Sequence, residues 1–390
     1  MRQQTWTFIK AITILTITAV PGAHADDKDC SPIRLDQPAA DGSPSSMQFV
    51  SVRNQKPYGV CYAESAVQMV DAYRFSVGQN PNHQAQSSVL SAVIEYDLGP
   101  ANLNGGNPFN GGRTCQVVDS VRAHGGRDAY QVAKCTLKTM TPAFLSAVST
   151  VADSHANQFI AKKAALKALN LTPVEYRAEY NQMVTALRAT DAEQMRTSLK
   201  AEGLPEAQIP PAAVLGFVFT YDDKPQMQAW AIASYSCYSQ GSVITATEIP
   251  ACVEIRAPAS PDSFFIDQLN HRLELPNAQP TTISYCDQVL TQGSAYSGVN
   301  RDPGFTGRQC VDAAHPDSLF RHASLVIGRR INPQTNRCQF LVRNSWGSQC
   351  MTGTPRRPVY APEWDCDHGN IWVDTDALAK NTYELQYLAP

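Results

Sequence analysis

The sequence is short of several things that would direct a reading of its function. Beyond the apolar stretch at residues 11–20, no segment of the 390-residue chain is apolar enough to cross a membrane as a helix. No phosphate loop with its lysine is present, no His-Glu-x-x-His and no Gly-x-Ser-x-Gly. Sequence grounds for nucleotide chemistry, a zinc peptidase helix or a serine-hydrolase elbow are therefore missing. Charge of one sign is also lacking. Lys and Arg number 32 against 35 Asp and Glu, a formal net charge of −3, which argues against nucleic acid as the main partner. Cys366 and His368 alone suggest a metal, and no second pair stands at ligand spacing, so the expectation is no metal site.

What is present begins with a leader. Arg2 and Lys10 precede the apolar Ala11–Val20, followed by Ala23-His24-Ala25. A charged region, a short apolar core and an A-x-A site read as a signal peptide over 1–25. The wholly polar Asp26–Asp29 before Cys30 does not fit a lipid-attachment pattern. A mature chain from about Asp26 without a membrane span, in a secreted or periplasmic setting, is expected. Losing Arg2 and Lys10 takes the formal charge from −3 to −5. An oxidising compartment pairs cysteines, and there are eleven, an odd number that leaves one over. Guesses at the pairing are Cys115 with Cys135, Cys237 with Cys252, Cys286 with Cys310 and Cys350 with Cys366, although spacing alone does not fix connectivity.

The thiol to leave out is Cys61. The stretch from Val52 to Ala63 is a Gly-containing loop running into apolar residues at helical spacing, namely Tyr62, Ala66, Val67, Val70 and Tyr73. Cys61 then opens a helix, where unpaired N–H groups and the positive dipole end favour a thiolate. Gln55, six residues earlier, offers an amide donor. Together with the Cys61 N–H it could hold a developing oxyanion. Such a nucleophile needs a base and a group to orient that base. His322 and Asn344 are the downstream candidates, and setting Cys61 aside leaves ten cysteines for five bridges.

Three stretches resemble the papain family of cysteine peptidases in its order of Cys, His and Asn: Gln55-x5-Cys61-Tyr62-Ala63, Arg321-His322-Ala323 and Phe340–Gly347 with Asn344-Ser345-Trp346-Gly347. Asn110-Gly111-Gly112 resembles the family's substrate-backbone-binding Gly-Gly pair. The matches cover about 48–130 and 262–375. The resemblance implies an α+β, papain-like two-lobed fold: a helical lobe, an antiparallel β-barrel-like lobe and a cleft between them. It also implies Cys61 as nucleophile, His322 as acid and base, Asn344 as its orienter and Trp346 as a shield over their bond. Gln55 is implied in the oxyanion site, Gly59 in the loop before the nucleophile, and Gly111 and Gly112 against substrate. A protein or peptide substrate and no cofactor follow from the same resemblance. Two alternatives stay open: another Cys–His amide hydrolase or transferase, such as a cell-wall peptide amidase or a transglutaminase-like enzyme, and an inactive papain-like binding protein.

The chain also departs from the pattern. Tyr58 stands where a structural cysteine is usual, Tyr62 replaces Trp, and Arg321 precedes the histidine, where its charge either lowers the imidazole pKa or faces solvent. Only 35 residues precede Cys61 in a mature chain starting at Asp26, so no helical pro-segment is expected. His322 lies 261 residues after Cys61, against roughly 130–150 for the family. The excess is assigned to a mainly helical insertion at 138–255, flanked by a strap and helical lobe at 26–137 and a β lobe at 256–390. Within it, Pro142–Leu169, Thr172-Pro173-Val174-Glu175 and Thr190-Asp191-Ala192-Glu193 predict three helices ending at Gly203. Residues 213–255 read as strand-like, with runs at Val214–Thr220 and Val243–Ile249. The insertion is expected either to gate the cleft or to stand apart from it.

Overall fold

The structure is a computed structural model. It describes residues 30–55, 59–79, 85–97, 111–206, 209–210, 215, 225–238, 241–244, 249–256, 263–298, 310, 321–350 and 360–389. The leader, Tyr58, Asn110 and most of Val214–Thr220 lie outside them.

In chain order, strand β1 (Ile33–Arg34) precedes helices α1 (Cys61–Ser76), α2 (Val89–Asp97) and α3 (Thr114–His124). Strand β2 (Gly126–Arg127) leads to α4 (Ala129–Thr139), α5 (Pro142–Lys167), α6 (Pro173–Ala201) and α7 (Pro225–Cys237). Strands β3 (Val243–Ile244) and β4 (Cys252–Arg256) come next, then α8 (Ser263–Leu273), β5 (Thr281–Cys286) and α9 (Gln288–Gln292). The chain closes with β6 (Arg321–Ile331), β7 (Cys338–Arg343), β8 (Asp365–Asp367), β9 (Asn370–Asp374), α10 (Thr375–Asn381) and β10 (Thr382–Leu388). Helices and antiparallel strands make this an α+β fold.

The main sheet runs β4-β10-β5-β6-β7-β9-β8, with β1 paired to β6. Every described pairing in it is antiparallel. β1 reaches β6 at Gly328, where a Cβ would stand 2.4 Å from the Ile33 carbonyl, so the strap can lie this close only over glycine. The strap is also tied covalently, Cys30 to Cys338.

α1 is buried from Cys61 through Ala72, the polar Glu64, Ser65, Gln68 and Asp71 included. It packs on β6 and β5 with one side and on α2 and α3 with another. The charged groups on its buried length are paired. Asp71 takes the guanidinium of Arg53 at 2.9 Å and both the N–H and the hydroxyl of Ser87. This network fastens the loop before Cys61 to the helix it enters.

The local signals explain the helix ends. Gly125, at φ +77°, stops α3. Asp128 caps α4, Thr141 caps α5 with Pro142 behind it, and Thr172 with Glu175 forms the capping box of α6. Two expectations are corrected. The segment at Thr190–Glu193 starts no third helix, because α6 runs unbroken from Pro173 to Ala201. No Pro or Gly interrupts 174–202, and Thr190 lacks the proline that follows Thr172. The strand-like reading of 213–255 fails at α7, where Ala229, Ile232, Ala233 and Cys237 are buried at helical spacing. Among the described residues there, strand is confined to β3 and β4.

The five disulfides correct the pairing in part. Cys286–Cys310 and Cys350–Cys366 form as expected. Cys115 instead joins Cys252, and Cys135 joins Cys237. α3 packs against β4 and α4 against α7, which brings together cysteines 137 and 102 residues apart. Cys61 is the free cysteine, and it is buried. Five bridges fit an oxidising compartment. No helix among the described residues is long and apolar enough to cross a membrane.

Candidate active site

Two adjacent strands bring His322 and Asn344 together. Leu325 faces Arg343 across β6 and β7, so Ser324 and His322 share the face that Asn344 reaches just past the end of β7. His322 Nε2 lies 2.6 Å from Asn344 Oδ1. The same oxygen accepts the Ser345 N–H at 2.8 Å. The Trp346 ring covers the pair, its centroid 5.2 Å from the imidazole. Tyr285, opposite His322 on β5, closes another side with ring centroids 5.7 Å apart.

Cys61 is the first residue of α1, and no side chain caps the turn at Val60. Its sulfur meets the backbone amide of Ala323, the residue after His322, as well as those of Tyr62 and Cys61. Burial pushes the thiol up to about 11. Those amides pull it down less, and the nearby Asp287 charge adds to the rise. Burial likewise drives His322 down to about 4, against the Asn344 bond, which favours the charged ring. Arg321 is exposed and has no part in that fall. Each group alone is therefore held neutral, because a lone charge in this site loses its hydration without gaining a counter-charge.

Gln55 joins through the loop after β7. Its N–H donates to the Ser345 carbonyl at 2.8 Å, and the Ser345 hydroxyl donates to its Oε1. Asn54 bridges to Trp346, and Gly347 N–H donates to Arg53 O at 2.9 Å. Gly59 is half-buried just before Val60. Gly112 lies against the Tyr62 ring, where a Cβ would come within 2.3 Å of it. Gly111, exposed at φ +116°, precedes it. Tyr62 also meets Tyr96 edge-on at 6.2 Å.

No family model and no curated protein matches the chain. Similar solved structures include the bromelain protease from Ananas comosus in complex with the E64 inhibitor. It is 13% identical with a TM-score of 0.36, over 87% of this chain and 93% of that one. Another is the digestive procathepsin L 3 of the Tenebrio molitor larval midgut, 11% identical with a TM-score of 0.36, over 87% of this chain and 66% of that one. Likeness at this level carries no argument about activity, so the weight falls on the residues themselves.

Three further residues stand at the site without any motif to signal them. Tyr360 stacks on Trp346 at 5.9 Å, and its hydroxyl accepts from Asn344 Nδ2 at 3.4 Å. Tyr383 sits in the β10 irregularity between Thr382 and Glu384, bonded to Ser284, and interacts with the Cys61 charge. Asp287 follows β5 and acts on Cys61 and Tyr285. Cys366 and His368 take no part: Cys366 is in a disulfide, and His368 is exposed and bonded to Asp367. Among the described residues, no three His, Cys, Asp or Glu side chains group to hold a metal.

Proposed function

We propose that the chain is a cysteine-type peptidase of papain-like, two-lobed design, cleaving peptide bonds through a thiolate and an acyl-enzyme. The observation that carries this reading is the His322–Asn344 bond under Trp346, beside the one cysteine left out of the disulfides. An amide oxygen only accepts, so the ring hydrogen is on Nε2 and Nδ1 offers its lone pair to the thiol proton. Proton transfer from Cys61 to His322 creates both charges together. Each then relieves the burial cost of the other, and the amides at the start of α1 stabilise the sulfur.

In the reaction, Cys61 attacks the peptide carbonyl and His322 protonates the leaving amine. His322 next takes a proton from water, which releases the acyl group. Gln55 and the Cys61 N–H hold the oxyanion; with Ser345 bound to Oε1, the amide nitrogen is the end turned to donate. Gly111 and Gly112 lie along the substrate backbone, and Gly59 lets the loop enter α1. The leader, the disulfides and the absence of a motif for any cofactor suit a secreted or periplasmic enzyme, with 138–255 as an insertion between the lobes.

The test is hydrolysis of a fluorogenic peptide and of a denatured protein by wild type, Cys61→Ala and His322→Ala. Turnover by wild type alone supports the reading. Full turnover by Cys61→Ala contradicts it.

A further inference from the structure

Among the described residues, Asp287 is the carboxyl that acts on Cys61, and the mechanism does not use it. It occupies the N-cap position of α9, where an aspartate normally bonds the first turn, yet its side chain makes no capping bond. Its Oδ1 is buried without a hydrogen-bond partner. Only its own backbone amide and that of Gln288 draw the carboxyl pKa down, and burial overrides them, raising it to about 7. No lysine, arginine or histidine among the described residues acts on it. The groups that feel its charge are Cys61 and Tyr285. The residue as a whole is half-buried, with Oδ1 on its buried side.

Its place in the sheet says which part of a substrate it meets. Tyr285 faces His322 across β5 and β6, and Asp287 lies two residues further along, past the strand end. The imidazole that protonates the leaving amine must lie under the leaving-group half of the peptide. Asp287 is therefore at the rim of that half. An uncompensated carboxylate there also opposes the thiolate, as any like charge does.

We infer that Asp287 is a specificity-determining residue that receives a cationic side chain, from lysine, arginine or a diamino acid, on the residue carrying the leaving amine. The inference rests on the cysteine-peptidase reading. A bound cation gives the carboxylate the counter-charge it lacks and offsets the charge that opposes the Cys61 thiolate. The preference therefore extends beyond KM to kcat.

Two quenched peptides that differ only in lysine or norleucine after the scissile bond test this. The kcat/KM ratio of lysine to norleucine is expected to fall at least about tenfold from wild type to Asp287→Asn, the size of one lost charge-assisted bond. In wild type the ratio should rise between pH 5 and 8 as the carboxyl ionises, a readout that needs no variant to fold. Binding of both peptides to Cys61→Ala, with and without Asp287→Asn, separates this inference from the reading beneath it. If wild type cleaves neither peptide while the binding preference is present and depends on Asp287, the peptidase reading fails and the acidic subsite stands. Equal ratios in wild type and Asp287→Asn, flat with pH, overturn the inference whatever the turnover.

Discussion

His322 Nε2 and Asn344 Oδ1 are 2.6 Å apart, and Asn344 is itself held from its other end by the Tyr360 hydroxyl. The Ser345 N–H, bonded to the same oxygen, sets the sense in which the amide faces the imidazole. Turning it over would put its N–H groups against the Ser345 backbone N–H, which now donates to Oδ1 at 2.8 Å and cannot accept.

This chain of two bonds predicts a graded loss. Asn344→Ala should lower kcat/KM by about a hundredfold, less than loss of Cys61 or His322, because it frees the ring to rotate without removing a proton carrier. Tyr360→Phe keeps the stack on Trp346 and removes only the acceptor. Its loss should be smaller, about tenfold, and mostly in kcat. Steady-state kinetics of the two variants check the order. An equal or larger loss in Tyr360→Phe would place its role elsewhere than behind Asn344.

The pH dependence follows from the two burial shifts. Below about pH 4 both Cys61 and His322 are protonated, and above about 11 neither is. Between these limits the pair holds one proton in common, and the ratio of its two arrangements does not change with pH. Alkylation of Cys61 by iodoacetamide should rise through about pH 4 to a plateau and rise again near 11. His322→Ala should lose the lower step and keep only the upper. A single step near 8.5 in wild type, the value of an ordinary thiol, would mean the two groups do not act as a pair.

The strap makes a stability prediction. Cys30–Cys338 fastens it across 308 residues of chain, beside Arg329 bonds to Ser31 and the approach at Gly328. Replacing both cysteines by serine should cost about 2–5 kcal/mol in urea unfolding. A change within error would mean that the β1 pairing holds the strap by itself.

The free cysteine and the His322–Asn344 pairing of the candidate site were legible in the sequence, the surroundings less so. An odd cysteine count and a helix-opening motif selected Cys61 independently, and Cys61 is the free thiol. His322 and Asn344 lie at the ends of runs whose alternation reads as strand, and β6 and β7 are those strands. The pairing of Cys115 and Cys135 was not legible, because it depends on how α3 and α4 pack, and nearness along the chain says nothing of that. α7 was not legible either, although Ala229, Ile232, Ala233 and Cys237 are buried along it. Apolar residues are spread around the helix with almost no stripe, so no period set it apart from the β-branched runs on either side. Asp287, Tyr360 and Tyr383 carry no motif, and only the fold brings them to Cys61 and Asn344.

The most direct measurement is intact-protein mass spectrometry of the mature chain after treatment with a thiol-directed epoxide peptide mimic, followed by peptide mapping. The account predicts one adduct per chain on Cys61, none on Cys61→Ala, and strongly slowed labelling of His322→Ala. An unlabelled Cys61 in folded protein, or Cys61 found in a disulfide with another cysteine free, would contradict it.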